Sequence, residues 1–90
     1  MGYKLTFSHE AAQALKAFEK SGNKALCRKV FALTEELREH PQTGTGKPER
    51  LKHDRRGQWS RRINDEHRLT YRIDEDEETV YVLEMRDHYE

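Results

Sequence analysis

The spacing of the apolar residues changes at residues 41–46, and this change limits what the chain can fold into. Before it, apolar residues recur in steps of three and four, which places them on one face of a helix. They are Leu26, Val30, Leu33 and Leu37. Pro41 and the loop that contains Gly44 and Gly46 end this pattern. Beyond the loop, apolar and polar residues alternate, as in strands with one buried face. The sequence therefore predicts an α+β fold.

The first forty residues predict a strand and a helical hairpin. Tyr3, Leu5 and Phe7 alternate with polar residues, which indicates a short, half-buried strand. Ser8 is a suitable N-cap for a first helix, which Ser21-Gly22 would end. The apolar stripe of this helix comprises Ala11, Ala14, Leu15 and Phe18. We expect residues 9–40 to form a hairpin that covers one face of a sheet.

Four further strands are predicted, at residues 50–53, 59–63, 67–73 and 79–86. A turn at 55–57 joins the first two, and an acidic turn at 74–78 precedes the last. Alternation assigns one side of the strands to the helices, namely Trp59, Arg61, Ile63, Leu69, Tyr71, Ile73, Tyr81, Leu83 and Met85. The other side carries Arg62, Arg68, Arg72, Glu84, Arg86 and, if the strand continues, His88. This polar face is the candidate site.

Length and composition favour one small domain spanning residues 1–90. Only 33% of the residues are hydrophobic and 38% are charged, so each element can bury only one face. No apolar run reaches membrane-spanning length, and the N-terminus lacks the apolar core of a signal peptide. A single cysteine, Cys27, cannot form an internal disulfide. We expect a soluble cytoplasmic protein without membrane contact.

The formal net charge is zero, but the charges are unevenly distributed. Residues 44–72 carry nine Lys or Arg against four acids, whereas residues 73–90 carry one basic and eight acidic side chains. We call residues 44–72 the basic belt. Trp59 and Tyr71 lie between its cations, and basic side chains interleaved with aromatic rings suit a surface that grips phosphates and stacks a base.

Metal and nucleotide-hydrolysing sites are not expected. The histidines His9, His53, His67 and His88 lack the paired spacing of metal ligands, and no cofactor is expected. The Gly44-Thr45-Gly46-Lys47 run superficially matches a phosphate-binding loop. However, Pro48 stands where Ser or Thr would hold magnesium, and Pro41 stands where the first glycine belongs.

Several motifs keep their order over half of the chain, and through them it resembles the YoeB/Txe toxins of the RelE superfamily. They are Gly46-Lys47-Pro48-Glu49, Leu51-Lys52-His53, Trp59-Ser60-Arg61-Arg62-Ile63, Glu66-His67-Arg68-Leu69 and His88-Tyr89. The resemblance implies an N-terminal strand and helical hairpin packed on a small, mainly antiparallel, twisted sheet. It also implies a ribosome-dependent mRNA endoribonuclease, or mRNA interferase, that inhibits translation and is neutralised by an antitoxin. Operator DNA would be bound only through the antitoxin complex.

Metal-free RNA cleavage needs a base for the 2′-hydroxyl, a cation beside the phosphate and an acid for the departing 5′-oxygen. The resemblance implies that Glu49 is the base, Arg68 the cation and His88 the acid. It further implies that Lys52, Arg62 and Tyr89 assist substrate placement and charge neutralisation. We also count two further cations of the basic belt, Lys47 and Arg61, among the substrate-binding residues. The expected products are a 2′,3′-cyclic phosphate and a 5′-hydroxyl. Glu90 departs from family members that end at His-Tyr. We expect its carboxylate, together with that of Asp87, to disturb the pKa of the acid or to repel RNA, which would affect the rate more than the reaction class.

Alternative interpretations remain open from the residues alone. Glu49 could be a surface carboxylate paired with Lys47 or Arg50, and to face the site it must lie at or before the strand start because it shares the parity of Leu51. Arg61 and Arg62 could keep an edge strand soluble, and Trp59 could be a core residue. The alternative function is a non-catalytic module that binds RNA or antitoxin and acts in transcriptional autoregulation.

Overall fold

Two helices cover one face of a five-stranded sheet in this computed structural model, which describes residues 2–87 and, of residues 86 and 87, only the backbone. The elements are β1 (Lys4–Phe7), α1 (His9–Lys20), α2 (Lys24–Leu37), β2 (Glu49–Arg50), a 3₁₀ turn (His53–Arg55), β3 (Trp59–Arg62), β4 (His67–Asp74) and β5 (Thr79–Asp87). The strand order is β1-β5-β4-β3-β2, with β1 parallel to β5 and the other pairs antiparallel. The predicted α+β class and helical hairpin are confirmed.

Side-chain caps fix where the two helices begin. The Ser8 hydroxyl accepts a hydrogen bond from the Ala11 amide at 2.9 Å, as predicted for an N-cap, and donates one to the Leu83 carbonyl at 2.7 Å. Ser8 therefore also ties α1 to β5. The Asn23 side chain accepts from the Leu26 amide at 3.0 Å and caps α2, which the sequence analysis did not identify.

The core lies between the helices and the sheet. All four apolar residues predicted for the buried face of α2 are buried, together with Ala11 and Phe18 of α1. From the sheet come Ile63, Leu69, Tyr71, Val80, Val82 and Met85. Fully burying one such side chain contributes roughly 1.5–3 kcal/mol to folding. Across residues 2–87, neither helix has the length and apolar character needed to cross a membrane.

The alternation predicted for β5 is wrong for part of the strand, because β5 contains a bulge. We expected Tyr81 and Leu83 to face the helices, but Val80 and Val82 are the fully buried residues. Thr70 of β4 pairs with Glu84, whereas the next residue pairs with Val82, so Leu83 is an extra residue on β5. One extra residue inverts the alternation. The prediction therefore holds for Met85 on one side of the bulge and fails on the other.

The first predicted strand of the belt, residues 50–53, is also corrected. Only Glu49 and Arg50 form β2, and His53, with φ of +58°, turns the chain into the 3₁₀ segment. The side chain of Arg55 then bonds to Gln58 at 3.2 Å and to Glu84 at 3.3 Å. These contacts hold the turn against the sheet, so the chain does not continue as an extended strand.

Candidate functional site

The sheet face opposite the helices gathers polar side chains from four strands. Register places Glu49 of β2 beside Ser60 of β3, and Arg62 of β3 beside Arg68 of β4. Glu84 of β5 lies beside Thr70. Because successive side chains of a strand point to opposite faces, these residues share the side away from the helices. The polar face predicted from alternation is therefore present for Arg62, Arg68 and Glu84.

Glu49 and Arg68 form an ion pair on this face. The Oε1 of Glu49 lies 3.6 Å from Nη1 of Arg68, which also donates to the Ser60 hydroxyl at 3.0 Å. The Glu49 side chain is 61% exposed and that of Arg68 only 26%. The carboxylate is thus open to a ligand, while the guanidinium is held in place. Glu49 faces the site because it is the first residue of β2, which is the condition that alternation required.

A cleft of about 340 Å³ surrounds this pair. Its walls are Gly46, Lys47, Pro48, Glu49, Arg62 and Arg68. Three cations and one carboxylate in a small space can bind a phosphate while leaving a base beside it. Ser60, which the sequence analysis quoted only as part of a motif, orients Arg68. Alternation alone could have placed Ser60 on the polar face, because it lies between Trp59 and Arg61, which were predicted to face the helices.

The wall that carries Lys47 is seated tightly against β3. The Gly46 carbonyl accepts a hydrogen bond from the Arg62 amide at 2.8 Å. Gly46 has φ of +86°, and a Cβ there would lie 2.7 Å from the Arg62 carbonyl oxygen. Lys47 also adopts a positive φ, +52°, which non-glycine residues seldom do. The backbone that leads into Glu49 is therefore set by contact with the neighbouring strand.

Arg61 does not join the site, which contradicts the expectation that it binds substrate. Its side chain is fully buried on the helix side of the sheet and forms an ion pair with Glu36 at 2.5 Å. Its guanidinium also donates to the carbonyls of His40, Thr43 and Thr45 and to the Tyr71 hydroxyl. The reason is strand alternation, because the side chain of Arg61 points to the opposite face from those of its neighbours Ser60 and Arg62. Arg61 instead anchors the loop before Lys47.

Protonation states in this buried cluster follow from its contacts. Burial acts to raise the pKa of Glu36, but hydrogen bonds from Thr45 and Arg61 outweigh it, and the pKa lies below its ordinary value. Burial raises the pKa of Tyr71. The Tyr71 hydroxyl therefore stays protonated and donates a hydrogen bond to the Pro41 carbonyl at 2.5 Å. Both groups hold the 40–45 loop in place at neutral pH.

Lys52 lies in a different cleft, on the far side of β2. This second cleft measures about 490 Å³ and is lined by Arg50, Leu51, Lys52, Arg56, Gly57, Gln58 and Trp59. Trp59 is half-buried and stacks on Tyr71 with ring centroids 6.4 Å apart. The prediction that Trp59 is a core residue therefore holds for one side of its ring. The structure thus brings Lys47, Arg62 and Arg68 to Glu49, but not Lys52.

His88 and Tyr89 lie outside the described residues. The backbone before them pairs with β4, where Arg86 is opposite Arg68 and Asp87 opposite His67. The last described residue of β5 is therefore next to the start of β4, one residue from Arg68. Within residues 2–87, no three His, Cys, Asp or Glu side chains are grouped closely enough to hold a metal ion.

Comparison with known proteins gives a consistent picture. The family model described as "YoeB-like toxin of bacterial type II toxin-antitoxin system" matches residues 7–89. Toxin YoeB of Mycobacterium bovis is 44% identical over 69 residues, which cover 77% of this chain and 79% of that protein. The match therefore spans both the helices and the belt.

Solved structures agree with the sequence matches. A YoeB/ParE toxin from Agrobacterium tumefaciens superposes with a TM-score of 0.87 at 34% identity, covering 96% of this chain and 99% of that one. The YoeB-YefM complex from Staphylococcus aureus contains a chain that superposes with a TM-score of 0.82 at 36% identity, covering 97% and 98%. At these identities and coverages the likeness extends over the whole described fold.

Proposed function

The chain belongs to the YoeB-like toxins of bacterial type II toxin–antitoxin systems, and on that premise we propose that it is an endoribonuclease that cleaves mRNA on the ribosome. The observation that carries the proposal is the Glu49–Arg68 pair, 3.6 Å apart, in a cleft with two further cations, Lys47 and Arg62. A carboxylate held beside guanidinium groups on an open sheet face can supply the base and the cation that metal-free RNA cleavage requires.

In the proposed reaction Glu49 removes the proton from a ribose 2′-hydroxyl. The 2′-oxygen attacks the adjacent phosphorus, the bond from phosphorus to the 5′-oxygen breaks, and His88 donates a proton to that oxygen. The products are a 2′,3′-cyclic phosphate and a 5′-hydroxyl. Arg68 and Arg62 neutralise the charge that grows on the phosphoryl oxygens, a kind of stabilisation worth several kcal/mol in water-excluded sites. The role of His88 rests on the family resemblance.

The exposure of Glu49 bears on where the reaction occurs. The Glu49 side chain is 61% exposed, so water has to be excluded from it by the bound substrate rather than by the fold. The chain has no net charge with which to capture RNA from solution. The ribosome would hold mRNA unstacked and in line for attack, so positioning supplies part of the lowering of the barrier. Arg50, Arg55 and Arg56, which lie outside the Glu49–Arg68 cleft, would contact RNA phosphates on the ribosome.

The proposed protein partner is a cognate antitoxin. The structural neighbour from Staphylococcus aureus is a complex with YefM. An antitoxin segment of negative charge would match the net positive charge of the basic belt and cover the Glu49–Arg68 cleft or displace the His88-Tyr89 end. Operator DNA would be contacted through that complex. The alternative function is a non-catalytic module of the same fold that binds RNA or antitoxin.

Single-turnover cleavage of one mRNA, free and in a programmed ribosome at matched salt, tests the proposal. We expect a much larger rate constant on the ribosome, and fragments that end in a 2′,3′-cyclic phosphate and begin with a 5′-hydroxyl. Equal rate constants would identify a self-sufficient ribonuclease. Binding to the ribosome without any cleavage would identify the non-catalytic module. The double variant Arg55→Gln and Arg56→Gln should reduce the difference between the rate constants on ribosome-bound and free mRNA.

A further inference from the structure

We propose that the second cleft, lined by residues 50–52 and 56–59, is a binding site for a nucleotide of single-stranded RNA adjacent to the cleaved phosphate. The proposal rests on the proposed endoribonuclease function and adds a part of the substrate path. Of the clefts described here it is the largest, at about 490 Å³. Three of its seven lining residues are Lys or Arg and none is Asp or Glu.

The three cations of this cleft are available to an anion. Arg50, Lys52 and Arg56 are exposed, and none of them forms an ion pair within residues 2–87. Arg55 differs, because it is committed to Glu84 and Gln58. Three like charges around one cleft repel one another unless an anion lies between them. A phosphodiester supplies that anion.

Arg50 and Trp59 give the cleft a surface suited to a nucleotide. The guanidinium carbon of Arg50 lies 5.4 Å from the centroid of the Trp59 ring. Stacking of this kind limits the rotamers of the arginine and leaves its planar donors free at the edge for phosphate oxygens. The guanidinium that Trp59 supports is itself a flat surface on which a base can stack. A compact anion such as inorganic phosphate would use only the cations.

The backbone around the cleft is held in shape by hydrogen bonds. The Leu51 amide donates to the Gln58 carbonyl at 2.9 Å, and the Gln58 amide to the Arg55 carbonyl at 3.0 Å. Gly57, with φ of +94°, leaves open space where a side chain would stand. The cleft therefore has firm walls and one open side, so binding requires little reordering.

The position of this cleft relates it to the Glu49–Arg68 cleft. Glu49 and Arg50 are the two residues of β2, which is an edge strand of the sheet. Their side chains point to opposite faces, so the two clefts meet across this edge. RNA bound with its scissile phosphate at Arg68 can continue over β2 and place a neighbouring phosphate among Arg50, Lys52 and Arg56. This also gives Lys52 a role in substrate binding outside the first cleft.

Intrinsic fluorescence reports on this cleft directly, because Trp59 is the only tryptophan of the chain. The full-length protein is titrated at low ionic strength with an RNA hexanucleotide whose 2′-hydroxyls are all methylated, which prevents cleavage. We expect the tryptophan emission to change on binding. The double variant Arg50→Gln and Arg56→Gln should weaken binding on the order of tenfold. It should also reduce the slope of log Kd against the logarithm of the salt concentration by about one to two. Arg28→Gln, an exposed arginine on α2, is the matched control and should change neither.

The outcomes separate this site from the proposed function. Glu49→Gln should lose cleavage on the ribosome yet bind the hexanucleotide no more weakly than wild type. A fluorescence change without any ribosomal cleavage by the wild type would retain the site and overturn the proposed function. Ribosomal cleavage by a protein whose tryptophan emission does not change with the hexanucleotide would overturn the proposed site. So would an unchanged Kd for the hexanucleotide in the folded double variant Arg50→Gln and Arg56→Gln. Tighter binding of hexaglutamate than of the hexanucleotide would overturn the RNA assignment and give the cleft to an acidic protein segment.

Discussion

Nη1 of Arg61 lies 2.5 Å from Oε1 of Glu36, and this ion pair joins the middle strand of the basic belt to the end of α2. The same carboxylate accepts hydrogen bonds from the amide and hydroxyl of Thr45, at 2.8 and 3.1 Å. Helix, loop and sheet thus meet at one partly buried charge pair. Because the loop continues into Lys47 and Glu49, the pair also sets the position of one wall of the candidate site.

Replacing Arg61 with Met should destabilise the protein by about 3–5 kcal/mol, since it leaves Glu36 and several loop carbonyls without their partner. The adjacent Arg62 is exposed on the opposite face, so Arg62→Met should cost less than about 1 kcal/mol. Urea unfolding of the two variants measures both. Equal losses of unfolding free energy would show that the buried network does not stabilise the loop.

Glu36 should make stability depend on pH in the acidic range. Because its pKa in the folded protein lies below the ordinary value of 4.5, the carboxylate contributes stability above that value and loses it as the pH falls through the folded pKa. The difference in unfolding temperature between wild type and Glu36→Gln should therefore be largest near neutrality and shrink below about pH 4.5. Glu35→Gln, which alters the half-exposed neighbour, is the control. A wild-type advantage that is constant from about pH 3 to 7 would contradict this account.

Gly46→Ala and Gly57→Ala form a matched pair. Both glycines have positive φ, +86° and +94°, so each substitution should cost about 1 kcal/mol in backbone strain. At Gly46 the new Cβ would also lie 2.7 Å from the Arg62 carbonyl oxygen, whereas at Gly57 nothing lies within 4 Å. Gly46→Ala should therefore lose clearly more stability in thermal unfolding. Similar losses would mean that the loop is not seated against β3 as described.

Arg68→Ala and His88→Gln should each lower the single-turnover rate constant on the ribosome by on the order of 10²-fold or more, because one removes the proposed phosphate-stabilising cation and the other the proposed proton donor. Arg72→Ala is the control, since Arg72 is exposed and packs over Tyr81. Circular dichroism establishes that each variant is folded. Full activity of folded His88→Gln would remove the general-acid assignment.

Local patterns in the sequence were enough to predict most of the fold. Helical spacing predicted the buried face of α2, and Ser8 caps α1 as expected. The bulge at Leu83 and the short β2 were missed, because both depend on tertiary contacts that alternation does not contain. The Arg55 contacts with Glu84 join residues 29 positions apart, and nothing in the sequence near either residue indicates them.

The candidate site was predicted less evenly than the fold. Alternation placed Arg62 and Arg68 together, and register added Glu49. Alternation had also placed Arg61 on the helix side, although we counted Arg61 among the substrate-binding residues. Its burial agrees with the alternation. Lys52 lies apart from Glu49 because the strand that would have carried it ends at Arg50.

The most direct test of the central claim is the single-turnover rate constant for mRNA cleavage by Glu49→Gln in a programmed ribosome. The amide that replaces the carboxylate would keep the shape of the side chain but could not accept the 2′-hydroxyl proton. We predict a fall on the order of 10²-fold or more at neutral pH, with an unchanged unfolding temperature. Glu66→Gln, an exposed carboxylate before β4, should cleave at the wild-type rate. A folded Glu49→Gln protein that also cleaves at the wild-type rate would contradict the claim that Glu49 is the base.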